Sequence, residues 1–92
     1  MGKIIIQFDI KNMSAVQYDQ VTSDLDTAGL GAIPERLYHV SAPFDGGWHV
    51  TDVWESEEAF TKFAETMVPT LMKHGVEPAE PKIMPVHSII VP

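Results

Sequence analysis

The sequence predicts an α+β domain in which a four-stranded antiparallel sheet carries two helices on one face. Three observations lead there. Lys3 to Ile10 alternates in the two-residue rhythm of a strand. Two later stretches repeat apolar residues every three or four positions behind a serine cap, as helices do. Pro43-Phe44-Asp45-Gly46-Gly47 carries the turn chemistry of a β-hairpin between two further strand-like runs. With a last strand near the C-terminus, the order is β-α-β-β-α-β, the ferredoxin-like or split β-α-β arrangement.

The first strand puts Ile4, Ile6, Phe8 and Ile10 on one face and Ile5, Gln7 and Asp9 on the other. Ser14 and Gln17 have the spacing of a capping box, which opens the first helix. Ala15, Tyr18, Val21, Leu25 and Ala28 form its apolar stripe, and Gly29 ends it. Glu35 to Ala42 and Trp48 to Glu55 are the hairpin strands. Within a register slip, pairing them about the turn sets Val40 near Val50, Tyr38 near Asp52 and Arg36 near Trp54. Ser56 caps the second helix, with Glu57 and Glu58 at its positive end. Ala59, Phe60, Phe63, Ala64, Met67 and Leu71 are its buried stripe; Pro69 should kink or restart it, and Gly75 closes it. The last strand is expected over Lys82 to Val91, with Pro85 marking an edge or a bulge.

At 92 residues the chain makes one domain, 1–92, without repeats or low-complexity segments. Apolar residues are 45% and charged residues 21% of the chain, a globular composition. Six basic against thirteen acidic residues give a net charge of −7, which argues against nucleic acid and against an anionic membrane surface. No cysteine is present, so disulfides, thiolate metal sites and cysteine nucleophiles are excluded. The longest aliphatic run, Ile4-Ile5-Ile6, is far short of the roughly 20 residues of a membrane span. With no signal-like N-terminus, the expected location is cytoplasmic.

Isoleucines at 4, 5 and 6, and Ile83, Val86, Ile89, Ile90 and Val91 in the last strand, point to both sheet faces. Helices cover only one. The bare face is therefore expected to pack on a second copy of the chain, giving a homodimer.

The segment Gly47-Trp48-His49-Val50-Thr51-Asp52-Val53-Trp54-Glu55-Ser56-Glu57-Glu58-Ala59-Phe60 resembles the strand-to-helix junction of dimeric α/β-barrel proteins, particularly their antibiotic biosynthesis monooxygenase branch. There a strand ending Trp-Glu-Ser leads into a helix opening Glu-Ala-Phe. The resemblance implies two protomers stacked sheet on sheet, each with a pocket between its sheet and helices. It also implies a range of activities: cofactor-free oxygenation of aromatic polyketides, haem degradation, isomerisation and cyclisation, alongside members not known to be enzymes. Fold alone does not choose among them.

The reading closest to the motif is an enzyme resembling cofactor-independent monooxygenases, acting on a planar aromatic substrate and needing no cofactor or metal. Trp48, Val50, Asp52 and Trp54 share one strand face, and the hairpin pairing adds Arg36 and Tyr38. Trp54, Trp48, Tyr38, Arg36 and Phe63 are the candidate substrate-binding residues, and His39, Asp52 and His87 the candidate catalytic ones. Imidazole titrates near neutrality, which suits a general base, and Asp52 can orient a hydroxyl or accept a proton. The alternative is a non-catalytic binding or structural dimer, with Trp54 plugging the core and Asp52 paired to Arg36 or Tyr38.

Two family patterns match incompletely. Where cofactor-free oxygenases of the branch place an Asn four positions before the Trp, this chain has Val50. The Asn, Trp and His of the haem-degrading members fall on Gln7, Phe63 and, within one position, His74, so one of three survives. His74 also suits a helix C-terminus, where the dipole favours a cation. By alternation His39 and His49 fall on the face opposite Trp54, where they would approach each other, with no spacing that enforces a metal site.

Overall fold

A computed structural model describes residues 2–92. Its elements follow the expected order: β1 (Ile4–Lys11), α1 (Ala15–Thr27), β2 (Arg36–Phe44), β3 (Gly47–Trp54), α2 (Glu57–Lys73) and β4 (Lys82–Pro85). The strands form one antiparallel sheet in the order β2-β3-β1-β4, so β1 is central and pairs with both β3 and β4. Both helices lie on the face that carries Ile4, Ile6, Phe8 and Ile10, and the core forms there. Those four side chains meet Val50 and Trp54 of β3, Val21 and Leu25 of α1, and Phe60, Phe63 and Leu71 of α2. Met13 and Val76 complete the buried cluster.

Local chemistry explains the ends of the elements. Ser14 accepts the Gln17 amide while the Gln17 side chain accepts the Ser14 amide, the reciprocal cap that the spacing predicts. The Ser56 hydroxyl accepts the Ala59 amide at 3.1 Å, and Glu57 and Glu58 sit in the first turn beside it. The hairpin closes through Asp45 and Gly46, both with positive φ (52° and 76°), the mirror-image turn whose twist suits paired strands. Gly47 follows for a different reason: a Cβ there would strike the Ile10 carbonyl of β1.

Three expectations change. Pro69 neither kinks nor restarts the second helix, which runs unbroken through it to Lys73. Pro69 and Glu65, whose carbonyl loses its partner, are both exposed, so water can serve that oxygen. The last strand stops at Pro85 rather than Val91. Its neighbour β1 begins at Ile4, so after the Val86 amide bonds the Lys3 carbonyl no strand remains to pair with, and 86–92 continue without regular structure. The hairpin register shifts as well. The two-residue turn pairs Phe44 with Gly47, which sets Val40 opposite Thr51, Tyr38 opposite Val53 and His39 opposite Asp52, and an extra residue at Leu37 then keeps Arg36 opposite Trp54 as expected.

That register inverts part of the face assignment. Tyr38 and Val40 turn to the open side of the sheet, and His39 turns to the helix side, with Trp54 rather than against it. His39 and His49 are therefore apart. The open face bears Ile5, Val53 and Met84 with the exposed Tyr38, Val40 and Phe44, crossed by a polar strip in which His49 bonds Asp9 at 2.8 Å and Thr51 at 2.7 Å. With Gln7, Lys11 and Lys82 on the same side, polar and apolar positions share this face about evenly, which corrects the expectation of a bare apolar face.

Candidate active site

Beneath the helices the packing leaves a cavity of about 460 Å³, within the range of small-molecule sites. Its walls are largely apolar: Phe8, Ile10 and Val50 from the sheet, Val21 and Leu25 from α1, and Phe60, Phe63 and Leu71 from α2. The polar groups that reach it are few, namely Tyr18, Thr22, Asp26, Arg36, His39 and Asp52.

Three of these form one chain of hydrogen bonds. His39 Nδ1 lies 2.6 Å from Asp52 Oδ1, and Tyr18 Oη lies 2.6 Å from His39 Nε2. The second oxygen of Asp52 accepts the Trp54 indole N–H at 3.1 Å. A carboxylate can only accept, so His39 Nδ1 carries a proton. In the neutral ring Nε2 is then the bare nitrogen that accepts from the Tyr18 hydroxyl. Asp52 is 3% exposed, the one buried polar residue among those described, and both of its oxygens are satisfied from inside the protein. The arrangement fixes one tautomer and leaves the basic nitrogen facing the hydroxyl on the cavity wall.

Arg36 lies at the end formed by the loop between α1 and β2. Its guanidinium donates to the Gly31 carbonyl at 2.8 Å and stands over the Phe63 ring, 5.6 Å from the centroid. Gly31 packs so closely on Asp26 that a Cβ there would strike that carboxylate.

Of the residues singled out by sequence, the structure brings Arg36, His39, Asp52 and Phe63 to the cavity. The other four lie elsewhere. Trp54 is fully buried against Phe60 and Phe63, at centroid distances of 5.6 and 5.0 Å, and fills the core instead of walling the cavity. Trp48 stacks behind Tyr18 at 4.9 Å, its indole N–H buried without a partner. Tyr38 is 58% exposed on the open face, where the hairpin register places it opposite Val53. His87 is exposed beyond the end of β4. Asp52 pairs with His39 and Trp54, not with Arg36 or Tyr38.

Sequence reading missed Tyr18. Its place in a helical stripe marked it as core, and nothing local in the sequence said that its hydroxyl meets an imidazole from β2. His74 is held at the C-terminal end of α2, where its Nε2 lies 2.7 Å from Asp24 and its carbonyl accepts from Gln17. The His74 hydrogen bond, and then Lys73, hold the Asp24 carboxyl below its ordinary value. Among the described residues no group of three or more His, Cys, Asp or Glu is placed to hold a metal, and no helix is long and apolar enough to cross a membrane.

Fold and cavity together define a class: a split β-α-β sheet with a polar relay set into an otherwise apolar chamber beneath its helices. Solved structures carry the same fold over nearly the whole chain. A mutant form of SnoaB, a cofactor-independent oxygenase from Streptomyces nogalater, superposes with a TM-score of 0.68 at 11% identity, covering 98% of both chains. Candidate antibiotic biosynthesis monooxygenases match from Deinococcus radiodurans (TM-score 0.64, 13% identity, 96% of each chain) and Caulobacter crescentus (0.62, 15%, 97% of this chain and 92% of that one). No family model matches the sequence, and no curated protein does. The chain thus has the fold of antibiotic biosynthesis monooxygenase structures, at identities that speak for fold alone.

Proposed function

We propose that the protein is a cofactor-independent oxygenase that takes a planar aromatic substrate bearing an acidic C–H, with Tyr18, His39 and Asp52 as the proton-transfer groups. The observation that carries this reading is the unbroken chain from Asp52 through His39 to a hydroxyl on the cavity wall. Substrate in the cavity gives its proton to Tyr18 oxygen as the Tyr18 proton moves to His39 Nε2. Asp52 stabilises the imidazolium that forms, and needs no proton itself. The substrate carbanion, delocalised over the aromatic system, is electron-rich enough to reduce molecular oxygen and form a peroxide anion at that carbon, which takes the proton held on His39, through Tyr18, to become the hydroperoxide. Loss of the second hydrogen as a proton, with cleavage of the O–O bond, gives a carbonyl and releases the distal oxygen as hydroxide. The hydroxide takes up that second proton and leaves as water. The balance is one CH2 and one O2 in, one C=O and one H2O out.

The apolar walls exclude water and leave the site to flat hydrocarbon surfaces. In this reading two copies of the chain stack open face on open face, covering Tyr38, Val40 and Phe44. The SnoaB likeness supports the class of reaction, while the base differs from the pattern expected of the branch: His39 and Asp52 serve where Val50 replaces the Asn.

Oxygen uptake with anthrone-type phenols tests it. Wild type should consume oxygen, and His39→Gln and Tyr18→Phe should each slow uptake by about 10²-fold or more at unchanged fold. Equal rates in wild type and His39→Gln would overturn the assignment. Ligand binding without uptake in any variant would leave a binding protein instead.

A further inference from the structure

We infer that Arg36 is an anion receptor at the loop end of the cavity, so that the ligand is a planar aromatic carboxylate held between Arg36 and the Tyr18–His39 pair. This rests on the reading that the cavity takes a planar aromatic molecule, and it goes further by fixing the charge of that molecule and the end that carries it.

The argument begins with an unneutralised cation. The chain has thirteen acidic residues and only six basic ones, so a guanidinium without an acid is unexpected. Yet the ion pairs among the described residues join His39 to Asp52, His49 to Asp9, and Lys73 and His74 to Asp24; none includes Arg36. Arginine has five N–H donors in a planar fork, and one bond from Arg36, to Gly31 oxygen, is formed. The group is half-buried at a largely apolar cavity, where an unpaired charge is costly and a carboxylate in bidentate contact is strongly favoured. It is also held in place: Phe63 lies under the plane and the Gly31 carbonyl anchors one nitrogen. A receptor fixed before binding loses little side-chain freedom when the ligand arrives.

The spacing fits one molecule touching both ends. Because of the bulge, Arg36 and His39 sit opposite Trp54 and Asp52, two strand positions apart on the same face. That is about 7 Å along the strand, roughly the width of two fused aromatic rings. Asp26 is the opposing charge at this end, since it too lines the cavity, but no ion pair joins it to Arg36. It weakens the field felt by an approaching anion and leaves the guanidinium fork open.

The test compares 6-hydroxy-2-naphthoate with its neutral carboxamide, 6-hydroxy-2-naphthamide, by calorimetric titration at pH 7. Wild type should bind the acid at least about tenfold more tightly than the amide, which corresponds to about 1.4 kcal/mol. Arg36→Gln should bring the two within about twofold of each other while amide affinity holds, which also shows that the cavity is intact. Arg36→Lys should keep part of the preference, and Asp26→Asn should enlarge it. Equal affinity for acid and amide in wild type, or a preference that survives Arg36→Gln, overturns the receptor while leaving the cavity reading intact. If neither compound binds wild type, both readings fall. A charge preference that depends on Arg36, in a protein that consumes no oxygen with any substrate, sustains the receptor and removes the oxygenase.

Discussion

Replacing Asp52 with Asn changes one atom type and, through it, the chemistry of a ring 2.6 Å away. The remaining carbonyl oxygen of the amide can still accept the Trp54 N–H, which has no other partner and is fully buried. The amide nitrogen then faces His39 Nδ1. A donor there forces His39 into its other tautomer, with Nδ1 bare and the proton on Nε2. The Tyr18 oxygen then accepts from Nε2 and its own proton turns to the cavity, so the contacts between heavy atoms persist and the stability cost is modest. Two charge-assisted hydrogen bonds become neutral ones, a loss of about 1–2 kcal/mol that the relief of carboxylate burial partly offsets. For a domain of this size, that lowers the melting temperature by at most roughly 15 °C. Proton abstraction suffers far more, because Nε2 no longer offers a lone pair to Tyr18. A fall in oxygen uptake of about 10²–10⁴-fold is expected. The decisive assay needs no substrate: 15N NMR of the histidine ring should show Nδ1 protonated in wild type and Nε2 protonated in Asp52→Asn. The same tautomer in both proteins would refute the relay.

Other outcomes follow from the same structure. Ser56→Ala deletes the hydroxyl that accepts the Ala59 amide, so chemical denaturation should show a loss of about 1 kcal/mol with the fold unchanged. Asp24 contributes through a carboxyl held below its ordinary 3.8; its stabilisation is complete above that value and disappears as pH falls through the lower folded value. Acid unfolding below about pH 4 should therefore be less steep in Asp24→Asn than in wild type, and identical acid limbs would remove the His74–Asp24 contact from the account. On a sizing column with light scattering, the protein should run at about twice its 10.2 kDa chain mass. Val40→Asp, on the open face, should shift it towards one chain mass, and a wild-type monomer at micromolar concentration would leave that face without its partner.

The order of elements was legible because the signals that make it are local. Alternation in Ile4–Ile10, the Ser14–Gln17 cap and the Asp45-Gly46 turn each act within a few residues, and the fold keeps all three. Half of the site was legible on the same terms. Asp52 follows from strand alternation counted back from Trp54, and Arg36 from the hairpin pairing that sets it opposite Trp54. For His39 the sequence points to the wrong face, since the hairpin closes on two residues, Asp45 and Gly46, and a register one residue different turns every side chain from Tyr38 to Phe44 to the other side. Tyr18 was hidden for another reason. Its stripe predicts burial correctly, but whether a buried tyrosine finds a backbone carbonyl, a wall or an imidazole depends on a partner 21 residues away. The early end of β4 is likewise non-local, because apolar residues at 89–91 extend a strand only if a neighbour continues beside them.

The hairpin thus holds its two chemical groups by separate means: the tight turn decides which side the imidazole takes, and Leu37 absorbs a slip of one residue before Arg36. A chain that lost Leu37 would keep every remaining cross-strand partner, so this position governs the local kink of the edge strand and leaves the choice of groups facing the chamber untouched.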